Sequence, residues 1–389
     1  MIKVGFLLNF PFEYKGGINY LKNLFYAINK FSRNEIMIVL FVDSKISKEN
    51  LSFFSPYCMI IKTSILNKNS ILNIISRFSN KYLNYDFITE ILLIKHKIDV
   101  VSHSNYIPYI KKIKSVNWIP DFQSLHYPQL LTNSQLKYER KLWIKLVVNS
   151  HKIVLSSFAA FSDFKTLFPN FKDKVEVLQF VSQNNFKDLD VKWENIYTNR
   201  PYFYLPNQFW EHKNHIVVWK AINYLKTNGK DVILLASGHM EDFRNNGKLV
   251  SELIDYINKN NLTHNIKLLG LIPYEDVLNL IKYSTAVINP SLFEGWSSTV
   301  EESKAFNKNI ILSDIPVHRE QDPERAFYFD PNSYIELAKI MINIMDNNSY
   351  NQQNYRTINC ISSEASLDSK TRLFANNYTK LIKSITSEI

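Results

Sequence analysis

The feature that most restricts the fold is an alternation, run through twice, between short apolar runs and segments whose apolar residues recur every three to four positions. Ile2 to Leu8 is an apolar run ending in turn residues, and Ile18, Leu21, Leu24, Phe25 and Ile28 behind it share one helical face. Further strands are expected at Ile36 to Val42, Met59 to Ile61, Asp99 to Ser102, Val116 to Ile119, Ile153 to Ser156 and Val175 to Phe180. A second series follows at Tyr202 to Leu205, Val232 to Ala236, Ile266 to Leu269, Ala286 to Ile288, Ile310 to Leu312 and Phe327 to Phe329. Its helices are expected from about Lys213, Asn246, Tyr274, Thr299 and Ser333. Strands that alternate with helices build parallel sheets with right-handed crossovers, so the pattern predicts an α/β chain with two doubly wound units.

Length agrees, because single cores stop growing near about 250–300 residues and this chain has 389. Ser182 to Arg200 is polar, weakly periodic and followed by Pro201, which marks it as the linker. The expected domains are therefore 1–183 and 201–366, followed by a tail at 367–389 whose pattern from Leu367 to Ile385 is that of an amphipathic helix.

Composition narrows the function classes. A 46% hydrophobic and 21% charged chain can bury a sizeable core, and its 14% aromatic content supplies rings for that core or for a ligand-lining surface. Cys58 and Cys360 give neither a zinc spacing nor a disulfide framework. The start lacks the pattern of a signal peptide and no stretch has the roughly 18 apolar residues of a membrane span, so a cytoplasmic protein, soluble or peripheral, is expected. A net charge of +10 calls for an anionic partner. The absence of an arginine-rich stretch, a zinc finger or an RNA-binding aromatic signature argues against nucleic acid. A phosphorylated small molecule or an anionic membrane surface remains. Lys111-Lys112-Ile113-Lys114 and Lys137-Tyr138-Glu139-Arg140-Lys141 with Trp143 are the segments suited to lipid headgroups, unless they are ordinary solvated faces.

The stretch from Asn289 to Ala305 is the richest in chemistry. A buried strand ends in Asn-Pro-Ser, a loop carries Glu294, Gly295 and Trp296, and Ser297, Ser298 and Thr299 offer N-cap oxygens to a helix that contains Glu301 and Glu302. The N–H groups of such a first turn bind anions, and a diphosphate suits them. A comparable strand end at Leu205 to His215 supplies Asn207, Gln208 and Lys213. His212 and His215 lack a nearby third ligand, which argues against a metal there.

The Glu294/Glu302 spacing, with Pro-Ser-x-Phe before it and the Glu-Gly turn within it, resembles the E-x7-E signature of the retaining GT-B glycosyltransferases of family 4. The resemblance implies two Rossmann-like domains facing a central cleft, and a last helix crossing back to the first domain. It implies that Glu294 contacts the donor hexose and Glu302 the ribose hydroxyls; Glu301 lies about 100° away round the helix. Lys213 matches the family's diphosphate-binding lysine, whereas Gln208 stands where an arginine is usual. Gly16-Gly17 match a glycine loop that approaches the donor, with φ > 0 open to them. Asp121 lies at a strand end where relatives carry His-Asp and this chain has Pro120; His126 is a weaker candidate. Gly238-His239 and the Gly270 to Pro273 loop, with Ile272, match segments that touch sugar, phosphate or nucleobase. The implied reaction moves a hexose from a nucleotide diphosphate sugar to a saccharide or lipid-linked saccharide acceptor, with retention, as in bacterial surface polysaccharide (O-antigen or capsule) synthesis. No cofactor or metal is expected, since the D-x-D at Asp188-Leu189-Asp190 sits in the linker and not at a strand end. A nucleotide-sugar epimerase and a non-catalytic sugar-nucleotide-binding subunit are the alternatives on the same fold.

Overall fold

The computed structural model describes residues 1–8, 15–83, 85–110, 112–183, 196–240, 248–348 and 359–387. The chain divides into two units, Met1–Val181 with Asp368–Ile389, and Ser182–Leu367.

In the first unit β1 (Ile2–Leu7), β2 (Ile36–Asp43), β3 (Met59–Thr63), β4 (Val100–Ser102), β5 (Lys114–Ile119), β6 (Lys152–Leu155) and β7 (Val175–Val177) form one parallel sheet in the order β3-β2-β1-β4-β5-β6-β7. Its helices are α1 (Lys15–Phe31), α2 (Lys48–Leu51), α3 (Ile71–Leu83), α4 (Phe87–Lys95), α5 (Gln123–His126), α6 (Asn133–Asn149) and α7 (Phe158–Leu167). The second sheet, also parallel, takes β8 (Tyr202–Leu205), β9 (Ile233–Ser237), β10 (Ile266–Gly270), β11 (Ala286–Asn289), β12 (Ile310–Ser313) and β13 (Ala326–Phe329) in the order β10-β9-β8-β11-β12-β13. With it come α8 (His215–Thr227), α9 (Lys248–Lys259), α10 (Tyr274–Tyr283), α11 (Ser298–Ala305), α12 (Pro316–Gln321), α13 (Tyr334–Asn348) and α14 (Asn359–Thr386).

Helices on both faces of a parallel sheet bury each strand twice, which is why the strands read as unbroken apolar runs. In β8, Phe203 and Leu205 enter one core while Tyr202 and Tyr204 enter the other; in β9, Leu234 and Ala236 separate from Ile233 and Leu235 in the same way. All thirteen expected strands are present, most within a residue or two of the expected limits. β7 stops at Val177, short of Phe180, where its pairing with β6 ends. α8 begins two residues after Lys213, because Asn214 takes a left-handed conformation (φ 54°) behind a 3-10 turn at Glu211–Lys213. The expected helix start at Asn246 lies outside the described residues.

From Asp368 onward α14 is part of the first unit. Phe374, Ala375, Tyr378, Leu381, Ile382 and Ile385 are buried, a helical stripe three and four residues apart. Thr379 donates to Ser32 (2.8 Å), Lys30 and Lys383 pair with Asp368 and Glu35, and Arg372 lies over the Phe31 ring.

Trp143 corrects an expectation. Its ring packs edge-on against Phe122 at 4.8 Å, in a core with Leu146, Val147 and Phe164, so it is not a surface anchor. Ile113 is likewise buried, while Lys137, Arg140 and Lys141 are exposed on α6 and Lys111 lies outside the described residues. Among the described residues no helix is long and apolar enough to cross a membrane.

Candidate functional site

In the second sheet the chain winds from β8 outward to β10, then returns to β11 on the other side of β8. Loops leaving the carboxyl ends of β8 and β11 therefore run to opposite faces, and such switch points are where open α/β sheets take ligands. Both stretches singled out in the sequence are these loops.

Buried amides and hydroxyls tie them together. Asn207 donates to Asn289 Oδ1 (2.9 Å) and accepts from the Thr299 hydroxyl (3.3 Å). Asn289 donates to Ser297 Oγ (2.8 Å) and accepts from the Ser291 hydroxyl (2.7 Å). The Leu292 N–H donates to the His212 carbonyl, and Asn214 donates to that of Pro290. Ser297 caps α11 by accepting from the Val300 N–H, which leaves the first-turn N–H groups of Ser298 and Thr299 pointing out of the helix start. The Asn207, Ser297 and Thr299 side chains thus build the loop frame. Gln208 does similar work: its Oε1 accepts from the His239 N–H (2.8 Å), bracing the β8 loop against the β9 loop. Gly238 has φ 153°, and a Cβ there would lie 2.3 Å from the Asn207 carbonyl oxygen, so only glycine fits.

Within this frame Lys213 Nζ sits 2.6 Å from Glu294 Oε1, both side chains largely buried. Burial alone would raise the Glu294 pKa, but the Lys213 cation, helped by His318 and by hydrogen bonds from Lys213 and Ser291, outweighs it and holds the carboxyl at about 2. Glu302 is shifted the other way. Burial pushes it up to about 7, partly offset by the hydrogen bond that the Tyr274 hydroxyl donates to its Oε1 (2.8 Å). The pKa values of two carboxyl groups in one short motif are thus pushed in opposite directions by their surroundings. Glu301 is bound by Lys304 (2.9 Å) and Gln321 (2.9 Å) in a structural brace at the helix side. Gly295, Trp296 and Ser298 are half-buried in the loop and first turn, and half-buried Ile272 packs on the core edge beside the β10 loop.

Two residues of this site were not singled out in the sequence. Tyr274 opens α10 and bonds Glu302. His318, buried on α12, has Nδ1 2.9 Å from the Ser313 carbonyl and a second nitrogen without a protein partner; burial lowers its pKa to about 4, against the pull of Glu294. Each lies just beyond a strand end, which is the one sequence signal that could have marked them.

In the first unit Gly16 and Gly17 lie in the first turn of α1, and neither has positive φ, which corrects the expected glycine turn. Asp121 accepts from the Gln123 N–H (2.9 Å) at the start of α5, and His126 pairs with Asp163 (2.8 Å). That unit has its own switch point at β1 and β4, where His103 is held at φ 54° with its nitrogens at Ser102 Oγ (2.7 Å) and Tyr20 Oη (2.8 Å). Asp188 and Asp190 lie outside the described residues. Among the described residues no three His, Cys, Asp or Glu groups are placed to hold a metal ion.

Residues 186–359 match the family profile described as glycosyl transferases group 1. An uncharacterized glycosyltransferase of Methanocaldococcus jannaschii is 27% identical over 166 residues, a stretch that is 42% of this chain and 37% of that protein. The structure of HepE from Anabaena in complex with UDP and glucose aligns over 100% of both chains with a TM-score of 0.66 and 13% identity. Sucrose-phosphate synthase from Thermosynechococcus elongatus aligns over 100% of both chains with a TM-score of 0.69 and 12% identity. The structural likenesses show a GT-B fold of two Rossmann-like domains, and the match over 186–359 supports a glycosyltransferase carried on it.

Proposed function

We propose that the chain is a retaining, metal-independent glycosyltransferase that moves a hexose from a nucleoside diphosphate sugar to a saccharide or lipid-linked saccharide acceptor, in the synthesis of a bacterial surface polysaccharide. The observation that carries this reading is the convergence of Lys213, Glu294 and the start of α11 at the β8/β11 switch point. A cation, an ionised carboxylate and a helix N-terminus at one strand-end crevice suit a diphosphate joined to a polyhydroxylated ring. The UDP and glucose held by the similar HepE structure agree with that chemistry.

In this reading the α11 N-terminus and Lys213 take the diphosphate, Glu302 accepts hydrogen bonds from the ribose hydroxyls, and Glu294 holds the hexose. Lys213 must be shared between Glu294 and the leaving phosphate, and its pull on the phosphate grows as negative charge accumulates there, which is where transition-state stabilisation arises. The acceptor attacks from the face the diphosphate leaves, a phosphate oxygen receives the acceptor proton, and the anomeric configuration is kept. Asp121 is assigned an orienting role towards acceptor or donor.

Incubating the protein with a nucleotide-sugar panel, candidate acceptors and excess chelator tests the proposal. Release of nucleoside diphosphate that depends on acceptor, with a product of unchanged anomeric configuration by NMR, is expected. Turnover abolished by chelator and restored by manganese, or an inverted product, would overturn it.

A further inference from the structure

Helix α3 is turned inside out. Its inward residues are polar: Asn73 donates to the Ile65 carbonyl (2.6 Å), Ser76 to Asp86 Oδ2 (2.6 Å) and Ser79 to the Ser76 carbonyl (2.9 Å). Ser76 is 7% exposed and Ser79 is 1% exposed, whereas Ile71 is 75% and Phe78 62% exposed. Leu72, Ile74, Ile75, Tyr82 and Leu83 are exposed as well. A helix of a soluble domain normally buries its apolar stripe and shows its polar one. Here hydrogen bonds to Ile65 and Asp86 fix the opposite orientation, and the helix presents large aliphatic and aromatic side chains to the outside.

The charges on the outward face have one sign, the nearby Asp86 carboxylate being turned to the inward side, where it accepts from Ser76. From Met59 to Leu83 the chain carries Lys62, Lys68, Arg77 and Lys81 and no carboxylate. Arg77 and Lys81 are exposed on α3 itself, and Lys81 lies over the Tyr82 ring at 5.1 Å. Lys145 of α6 donates to Asn80 of α3 (3.1 Å) and adds a further cation, with Ile144 and Val148 exposed next to it in sequence.

We propose that the outer face of α3 docks on an anionic lipid bilayer, the helix lying in the plane of the interface with Ile74, Ile75 and Phe78 among the acyl chains and Arg77 and Lys81 at the headgroups. Charge complementarity selects this occupant. A second copy of the chain would bring the same cations against one another, whereas anionic headgroups neutralise them while the acyl region takes the apolar side chains. The surface differs from the lysine segments at 111–114 and 137–141, where Trp143 and Ile113 are buried.

Flotation of the full chain with vesicles of phosphatidylcholine, and with vesicles that are half phosphatidylglycerol, tests the proposal. The wild-type protein floats with the anionic vesicles only, and added salt weakens binding. Ile74→Ser with Phe78→Ser lowers vesicle affinity by about tenfold or more, and Arg77→Gln with Lys81→Gln lowers it by about thirtyfold. All four side chains are exposed, so melting temperatures stay at the wild-type value and report an intact fold. Failure of the wild-type protein to float with anionic vesicles, or equal flotation of the variants, overturns the proposal. So does sedimentation showing a dimer that Ile74→Ser with Phe78→Ser dissociates while flotation is unchanged.

Discussion

Replacing Lys213 by Met removes the cation from Glu294 and keeps most of the side-chain volume. In the wild-type protein the Glu294 carboxyl is held at about 2 against an ordinary 4.5, which corresponds to about 3 kcal/mol at about 1.4 kcal/mol per pH unit. The pair is largely buried, so solvent screens it little, and breaking buried pairs of this kind costs about 3–5 kcal/mol. Because the folded pKa is lowered, this stability is fully present above about pH 4.5 and disappears as pH falls towards 2. In Lys213→Met, burial acts on Glu294 without its main counterweight and raises the carboxyl pKa. The sign then reverses, the variant being relatively more stable in acid and weaker as pH rises. Urea unfolding followed at neutral pH, about pH 5 and about pH 3 reads both effects. The expected loss at neutral pH is about 3 kcal/mol, mostly recovered in Lys213→Met with Glu294→Leu, since an apolar pair leaves no buried charge. A single variant within about 0.5 kcal/mol of wild type at neutral pH, the behaviour of a surface pair, would refute the reasoning.

Glu302 provides the opposite case: its folded pKa is raised from 4.5 to about 7, so the stability it contributes is fully present below about pH 4.5 and is lost as pH rises from there to about 7. Glu302→Gln should therefore raise stability above pH 7 by about 1–3 kcal/mol and leave it nearly unchanged at about pH 4; thermal melts at the two pH values check this, and equal gains at both would contradict it. Gly238→Ala drives a Cβ to 2.3 Å from the Asn207 carbonyl and should cost about 1–3 kcal/mol, with weakened donor binding in calorimetry because the β8 and β9 loops must part. Truncation before Asp368 removes the five large buried apolar side chains of α14, Phe374, Tyr378, Leu381, Ile382 and Ile385, at about 1.5–3 kcal/mol each, which matches the whole stability of an ordinary domain of about 5–15 kcal/mol. The first unit should then lose its cooperative melting transition, and an unchanged melt would contradict the placement of the helix.

The strands were legible because burial on both faces writes them as continuous apolar runs, and the motif from Asn289 to Glu302 was legible because its strand end, loop and N-cap follow within a few residues of one another. What sequence could not supply was partnership. Lys213 and Glu294 are 81 residues apart, and nothing in their spacing says that one neutralises the other. His318 and Tyr274 come to the site through the strand order of the second sheet, which alternation alone leaves open. Gly16-Gly17 misled because a glycine pair has the same appearance in a turn and in a helix's first turn. Trp143 misled because its neighbours Lys141 and Lys145 face outward while the helix turns the indole inward. In α3 the periodicity shows two faces but not which one is buried. Hydrogen bonds from Asn73 and Ser76 decide that, and they depend on Ile65 and Asp86 lying within reach in the fold.

The central claim is that the β8/β11 switch point binds the diphosphate and ribose of a nucleotide sugar. Titration calorimetry of the full chain with UDP, GDP, ADP and dTDP, in chelator, tests it most directly. The account predicts one bound nucleotide per chain for at least one of the four, and an affinity about 10–100-fold weaker in Glu302→Ala, the size expected for lost charge-assisted hydrogen bonds. Binding of none of them, or equal binding by wild type and Glu302→Ala, would contradict it.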